Sequence, residues 1–497
     1  MYVSNFSKSE KEIFELRKQK ISFFNELTNK SFPTSFEGAV DIEDIILKHR
    51  EIESGEHTGV DVLIKGRILQ NRSFGKLSFL DLLDNTGKIQ VLVDKNNMPK
   101  KELLHFENYD SGDLIGVLGE IMKTKKGELS IKAKSSTVLS KSLRTLPEKW
   151  HGLKDKETRF RQRYLDFIVN PDSKRTIEIR SKIINLIRNF METEGFIEVE
   201  TPILQPKAGG AIARPFTTHH NALDFDMYLR IAPELYLKRL IVGGFEKVFE
   251  LGKVFRNEGI DQTHSPEFTM MESYEAYVDA TAVMDMVENM CLYIFEELGL
   301  EKKLKFMDNE ADFSAPWKRV SMYELVSKKF NVEIKHDSDI KKIRSALKNQ
   351  LNNKPEAKTI GLLVYELFEN YIENDIVSPT FVTEYPIEVS PFARENKKKQ
   401  GVTERFELFA FGSELANGFS ELIDSEEQEN RLKIQAQQKA KGDEEAHVED
   451  EDYVEALQYG LPPTGGLGFG IDRFVMILTN NSSIREVLAF PHLKPEN

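Results

Sequence analysis

Cysteine occurs once in 497 residues, as Cys291, so neither an internal disulfide nor a zinc cluster built on several thiolates is available. Cys291 sits in the apolar, helix-patterned run VMDMVENMCLYIFEEL, where core packing explains it better than catalysis. Long apolar stretches are equally scarce: no uninterrupted run approaches the roughly 18 residues a membrane helix needs. The N-terminal MYVSNFSKSEKEIFELRKQK carries charge throughout instead of an apolar signal region. A cytoplasmic protein without a membrane partner is therefore expected. Several reaction-bearing sets are absent too. No serine, cysteine or histidine constellation offers a nucleophile, and His219, His220 and His264 lack metal-ligand spacing with a third partner. The segment PPTGGLGFGIDRFVMIL lacks the Gly-Lys-Ser/Thr ending of a phosphate-binding loop, and no suitable preceding strand supports a dinucleotide fingerprint. A net charge of -13 argues against indiscriminate nucleic-acid binding, and no DNA partner is expected, but local basic patches remain free to meet phosphate.

What is present is a globular composition, 40% hydrophobic, at a length that allows about three domains. Residues 1–55 read as a helical extension, with Ile13, Leu16, Ile21 and Phe24 spaced among charges and a turn at Phe32-Pro33-Thr34. Its basic side, Lys8, Lys11, Arg17, Lys18 and Lys20, is either a solvated face or a nucleic-acid contact. Over residues 56–141 the texture changes to five alternating segments: VDVLIKGRIL, KLSFLDLLD, GKIQVLVD, DLIGVLGEIM and ELSIKAKSSTVL. That pattern predicts a small barrel, of which the oligonucleotide-binding OB-fold is the best-known five-stranded case. Arg72, Phe74, Lys76 and Phe79 interleave cations with aromatics, as stacking on single-stranded bases requires, and Gln90 could read a base edge. Rim and core roles fit the same residues equally well. Residues 142–175 form a basic connector whose Arg159, Arg161 and Arg163 alternate with Phe160 and Tyr164, either bracing two domains or meeting phosphate.

A larger domain follows over residues 176–497, opening with an amphipathic helix over 176–194 that Gly195 ends. Residues 281–375 are mostly amphipathic helix and carry no recognisable chemistry. The chemistry concentrates elsewhere. In KVFELGKVFRNEGIDQTHSPEFTMMESYEAY, period two puts Glu250, Val254 and Arg256 on one face, and Phe268, Met270, Glu272 and Tyr274 on another. Charges on such faces need either internal ion pairs or a bound ligand. The joining loop offers Arg256, Glu258, His264 and Glu267. In ERFELFAFGSELANGFSEL, Glu407, Glu414, Asn417 and Glu421 interrupt an apolar pattern, and Asn417 shares a face with Glu421. Converging carboxylates suit magnesium held largely through a nucleotide, while pairing of Glu407 with Arg405 or Arg256 is the structural alternative. Glu234 follows Pro233 at a helix start, where an acid is ordinarily a dipole partner. Near the end of the chain a glycine-rich turn enters an apolar helix. There Arg473 opposes the helix dipole unless an anion faces it, and Asp472 competes for that role. The whole set suits activation of a carboxylic acid by a nucleotide, a reaction that needs positioning and charge neutralisation more than a nucleophile.

At these residues the chain resembles the class II aminoacyl-tRNA synthetases, and closely the lysine-specific group among them. GFIEVETPIL is similar to the family's first motif, FRNEG with HSPEFTMMESYEAY to its second, and GLGFGIDRF to its third. The resemblance covers nearly the whole chain. It implies an α+β fold: a six- or seven-stranded antiparallel catalytic sheet flanked by helices, with an anticodon-binding, five-stranded OB-fold barrel before it. It also implies a homodimer built around the first motif, with L-lysine, ATP and the tRNA for lysine as partners. By the same resemblance Arg256 bridges the lysine carboxylate and the ATP α-phosphate, and Arg473 holds the distal phosphates. Glu258, His264 and Phe268 contact ATP, and Glu407 and Glu414 ligate magnesium. Gly210, Glu234, Glu272, Tyr274, Asn417 and Glu421 form the lysine pocket, with Glu421 and Tyr274 receiving the side-chain ammonium. Arg72, Phe79 and Gln90 match anticodon contacts. An aspartate- or asparagine-specific member would share barrel and motifs but needs cationic or amide donors where Glu421 stands. A protein-modifying lysyltransferase would usually lack the barrel, and a nucleic-acid-binding protein with an inactive domain would have no need of Arg256, Arg473, Glu407 and Glu414.

Overall fold

The five alternating segments close on themselves. In the computed structural model, which describes residues 8–28, 32–147, 153, 155–351, 357–440 and 449–495, the chain forms two compact units, residues 1–154 and 155–497. Residues 1–7 and 29–31 of the expected extension, and 148–152 and 154 of the expected connector, lie outside the described residues.

In the first unit, helices α1 (Lys8–Thr28) and α2 (Ile42–His49) precede strands β1 (His57–Phe74), β2 (Leu77–Leu83) and β3 (Lys88–Asp94). Helix α3 (Lys100–Asn108) and strands β4 (Leu114–Lys123) and β5 (Leu129–Ser140) follow. The strands form a closed barrel in the order β1-β2-β3-β5-β4. Irregular register within β1 lets this one long strand bend to pair with both β2 and β4. A Cβ at Gly66 would lie 2.6 Å from the Leu83 carbonyl oxygen, so the backbones approach there as only glycine permits. Alternate residues such as Ile64, Leu80, Leu82, Val91 and Val117 fill the interior, and Phe24 of α1 with Ile42 and Ile45 of α2 belong to the same core. The N-terminal extension is therefore part of the barrel's packing. Its basic side is partly consumed structurally: Lys20 pairs with Asp110 at 2.8 Å, and Arg17 donates to the carbonyls of Ser111, Ser142 and Arg144.

Residues 155–175 of the expected connector belong to the second unit. Buried Arg163 pairs with Asp166 and donates to the Glu486 carbonyl, so this arginine braces the unit internally. The opening helix, α4 (Pro171–Thr193), begins five residues before the expected position 176, because proline's fixed φ and missing N–H suit the first helical turn. The other elements that matter for the site are β6 (Ile197–Glu198), α5 (Glu234–Val242), β7 (Lys247–Phe255), β8 (Glu267–Ala276), α6 (Ala280–Glu297) and β9 (Lys318–Ser321). After them come β10 (Thr380–Thr383), β11 (Arg405–Ala410), β12 (Ser413–Ser420), β13 (Thr464–Gly470) and α7 (Ile471–Leu478). The sheet has eight strands in the order β9-β10-β11-β12-β13-β8-β7-β6. Its six central strands are antiparallel, as expected. Short β9 and β6 add parallel edges, and β9 comes from a stretch expected to be mostly helical.

Period two sorts the sheet's faces. Phe249, Met271, Leu467, Phe469, Phe406, Leu408 and Phe381 point to one side and pack with Ile183, Ile187, Val287, Ile294, Phe474 and Val475 of α4, α6 and α7. The opposite side carries the charges. No described helix is long and apolar enough to cross a membrane.

Candidate active site

The strand expected to be a glycine-rich turn is the floor of the site. Along β13, Leu467 and Phe469 face the core, while Gly466, Gly468 and Gly470 face the other way. Two cross-strand rows result. Glu272, Gly468, Asn417 and Glu407 lie side by side, as do Tyr274, Gly466, Phe419 and Arg405. Without side chains on the central strand, the flanking ones border a trough, a cleft of about 660 Å³. Alternating glycines were the sequence signal for this strand; the turn reading missed it.

One end of the cleft is acidic and closed. Glu272, Glu234 and Glu421 are buried, and Glu272 and Glu234 line the cleft. Gly210, in the left-handed region at φ +89°, lines it too, its missing Cβ only 3.0 Å from the Glu234 Cβ. Glu234 is not spent on its helix dipole: its carboxylate pairs with Lys238 one turn on, and the same ammonium pairs with Glu421 Oε2. Lys238 is fully buried, its Nζ 4.8–5.9 Å from the rings of Tyr274, Phe392, Phe419 and Tyr453. Sequence reasoning did not identify Lys238, since nothing local distinguishes a buried lysine from a solvated one. Glu421 thus already holds a cation from its own chain, and the Tyr274 hydroxyl donates to Glu272 Oε2 at 3.1 Å. Glu421 Oε1 has no hydrogen-bond partner among the described residues, and it lies 2.1 Å from the point where a Cβ on Gly466 would sit. Burial, and next the charge of Glu234, lift the Glu272 carboxyl to about 8. Burial also raises Glu234 and Glu421, against the pull of Lys238.

The other end holds the loop after β7. Arg256 follows the last residue of the strand, its guanidinium 5.1 Å from the Phe268 ring centroid. Its Nε is buried without a hydrogen-bond partner among the described residues. Burial lowers its affinity for the proton, opposed by Glu258, Glu414 and Glu272. Glu258 and His264 line the same end and are exposed. The His264 ring is fixed by Asp261 at 2.8 Å. Burial would raise the Asp261 carboxyl, but hydrogen bonds from His264 and Thr263 outweigh it and bring it to about 2. Glu250, which the period-two reading grouped with Arg256, is set apart from it by its own partners: it pairs with Arg230 and accepts from the Thr201 hydroxyl at 2.6 Å.

A third group lines the side wall. Glu407 pairs with Arg405, the structural alternative foreseen from sequence, and accepts from Tyr385 at 2.8 Å. Burial, and next the charge of Glu414, lift Glu407 to about 7. Asn417 accepts from Arg405 Nε at 3.0 Å. Asp472 does not serve as the partner of Arg473, because it pairs with Arg180 and accepts from the Thr269 amide at 2.7 Å. Arg473 turns instead to Glu414, 3.4 Å from its carboxylate and 2.9 Å from its carbonyl. Tyr365, Glu369 and Glu373, from the segment read as chemically silent, complete this wall. Burial, then Glu414 and Glu369, raise the Glu373 carboxyl. Among the described residues no group of three or more His, Cys, Asp or Glu side chains is arranged as it stands to hold a metal ion.

On the barrel, register places Arg72 opposite Phe79 and Asp81 opposite Gln90, so the three predicted contacts share one outward face, Arg72 and Phe79 in one cross-strand row and Gln90 in the next. Arg72 is tied to Asp81 at 2.8 Å, Gln90 accepts from the Ser130 hydroxyl at 3.1 Å, and exposed Phe74 meets Phe79 edge-on.

The family model described as tRNA synthetases class II (D, K and N) matches residues 155–494, and the model of an OB-fold nucleic acid binding domain matches residues 62–139. A Prochlorococcus marinus protein named lysine–tRNA ligase is 46% identical over 498 residues, which cover 98% of this chain and 99% of that one. Proteins of the same name from Nostoc punctiforme and Trichormus variabilis are each 45% identical over 497 residues, covering 98% of this chain and 89% of theirs.

Proposed function

The chain belongs to the class II tRNA synthetases of the D, K and N group, and on that premise we propose that it activates L-lysine with ATP and transfers it to the 3′ end of the tRNA for lysine. The observation that carries the choice of lysine is the charge count at the closed end of the cleft. Three buried carboxylates, Glu234, Glu272 and Glu421, face one internal ammonium, Lys238. With all three ionised in the lysine complex, two negative charges remain, matching the two ammonium groups of lysine. Glu421 Oε1, without a donor of its own, is the acceptor for the side-chain ammonium, and Glu272 for the α-ammonium. An aspartate or asparagine side chain would meet carboxylates instead of donors there, a mismatch that rejects strongly because it leaves buried charge unpaired.

The substrate carboxylate then points to Arg256. Its oxygen attacks the ATP α-phosphate in line, the bond to the β-phosphate breaks, and pyrophosphate leaves. Arg256 lies where charge shifts from carboxylate to phosphate, so its contribution grows in the transition state. Next, a terminal ribose hydroxyl of tRNA attacks the acyl carbon and AMP leaves. Phe268 offers an apolar ring for adenine, and Glu258 and His264 complete the nucleotide site. Magnesium fits the side wall: the charge of Glu414 disfavours that of Glu407, and two carboxylates plus phosphate oxygens suit a hard cation. Bound there, it would neutralise the triphosphate. The long Arg473–Glu414 pair would exchange partners, Arg473 turning to the distal phosphates and Glu414 to the metal. Arg72, Phe79 and Gln90 would take anticodon bases, and exposed Ile197, Ile203 and Leu204 of the first motif would be covered in a homodimer. Such an enzyme works in the cytoplasm.

Amino-acid-dependent ATP–pyrophosphate exchange tests this reading. Lysine should support exchange, and lysine together with tRNA should give charged tRNA. Exchange with aspartate or asparagine but not lysine would overturn it.

A further inference from the structure

Lys238 has a role that the lysine reading does not itself require. Its ammonium is inaccessible to solvent and to substrate, at 0% exposure, so it is neither an acid–base group nor a direct contact. It bridges Glu234 Oε1 on its own helix and Glu421 Oε2 just beyond β12. The hydroxyphenyl rings of Tyr274 and Tyr453 and the rings of Phe392 and Phe419 surround it at 4.8–5.9 Å, an arrangement that favours a cation. A buried ion pair is by itself weak evidence of stabilisation. What makes this one informative is the oxygen left over: Glu421 Oε1 is buried, partnerless among the described residues, and level with the glycine floor.

We propose that Lys238 is a positioning residue for amino-acid selection: it keeps Glu234 and Glu421 ionised and holds Glu421 Oε1 toward the side-chain ammonium of the substrate. This rests on the lysine reading above. The groups facing Lys238 are Glu234, Glu421, Tyr274 and Tyr453, with Glu272 beyond Tyr274 and Arg405 acting on Glu234. None of the others is a cation within pairing distance of Glu421. Removing Lys238 would therefore leave two buried carboxylates that take up protons, and a neutral carboxylic acid attracts an ammonium weakly. The pocket would lose charge without losing shape.

The test uses the full-length chain in lysine-dependent pyrophosphate exchange, with KM for lysine and for ATP measured from pH 6.5 to 9 for wild type, Lys238→Met and Lys238→Arg. Expected for Lys238→Met is a lysine KM raised about tenfold or more at pH 7, partly recovered at pH 9, with the ATP KM within about twofold of wild type. Lys238→Arg keeps the charge but is too broad and planar for the four-ring cage. It should restore the wild-type pH profile while lowering selectivity for lysine over ornithine, which is one methylene shorter. A wild-type lysine KM and pH profile in Lys238→Met would overturn the proposal, as would equal rises in both KM values or a Lys238→Arg profile that tracks Lys238→Met. If Lys238→Met does not fold, the pH profile and ornithine selectivity of Lys238→Arg decide alone. Failure of wild type to exchange with lysine would instead remove the underlying reading.

Discussion

Along the barrel's outward row, Arg72 and Phe79 keep contact with water, and their partners, Asp81 and Phe74, leave them only loosely committed. At the closed end of the cleft, Glu234, Lys238, Glu272 and Glu421 are each under a tenth exposed, and the one ammonium, Lys238, offsets one of the three carboxylates. Both regions carry charged residues that face outward from a strand or its end, so alternation alone treats them alike. The difference is dielectric. Water screens a charge on the barrel rim, where a pair is worth about 0–1 kcal/mol, whereas a buried charge left unpaired costs several. Substitutions in the cleft should therefore act steeply and on one step, and those on the barrel shallowly and on tRNA alone.

Arg256→Ala should show the largest effect. Loss of a group that meets developing charge in a water-poor site typically costs about 10²- to 10³-fold in rate. Single-turnover adenylate formation should fall by that order, with the lysine KM changed far less. Near-normal adenylate formation would contradict the assignment of Arg256. Gly466→Ala comes next. Its new Cβ would stand 2.1 Å from Glu421 Oε1 and 2.7 Å from the Tyr274 ring, and overpacking of this kind costs about 1–3 kcal/mol. The lysine KM in the exchange assay should rise roughly 5- to 150-fold on that basis. Gly468→Ala is the control, because its nearest neighbour is the flexible Met270 Cε at 3.3 Å. Equal effects of the two would show that backbone strain rather than Glu421 is responsible.

A smaller, graded effect follows from Glu272. In the free protein its carboxyl titrates near 8, so at pH 7 it is largely protonated, while the form that binds an ammonium is ionised. Lysine binding must then release a proton. The sign is that apparent affinity weakens as pH falls below about 8, approaching tenfold per unit well below it. Calorimetric titration with lysine in buffers of differing ionisation enthalpy should detect the released proton. Glu272→Gln should bind more weakly at pH 8 and show a flatter pH dependence. An unchanged slope in Glu272→Gln would assign the titration elsewhere.

How far the sequence reaches differs between these regions for physical reasons. The barrel was readable because each strand has one wet and one dry face, and the alternating pattern records it. The same rule placed Phe268, Met270, Glu272 and Tyr274 on one side of β8, as the register confirms. It failed at β13, where glycines carry no polarity to alternate, and at Lys238, whose burial depends on four aromatic residues spread from position 274 to 453. The acidic wall of Glu369 and Glu373 was invisible for a related reason. On a helical segment such residues look like any solvated face until the fold turns them inward. Pairings such as Asp472 with Arg180 instead of Arg473 lie beyond any local argument, since the partner is 292 positions away by the difference of the two numbers, 472 and 180.

The barrel gives the smallest expected effects, and Phe79→Ala the sharpest separation of the two regions. Phe79 is half-buried, opposite Arg72 and edge-on to Phe74, and it belongs to neither the barrel's apolar core nor the cleft. Stacking of a base on an aromatic ring contributes about 1–3 kcal/mol, so the tRNA KM in the charging assay should rise roughly 5- to 150-fold by that measure. Lysine-dependent pyrophosphate exchange, which needs no tRNA, should be unchanged. Arg72→Ala should act in the same direction but less, because part of its charge is already offset by Asp81, and its effect should fade with added salt as an exposed cation's does. If Phe79→Ala slowed exchange as much as charging, the barrel row would be acting on the fold rather than on tRNA, and the contrast between screened rim and buried pocket would fail at its barrel end.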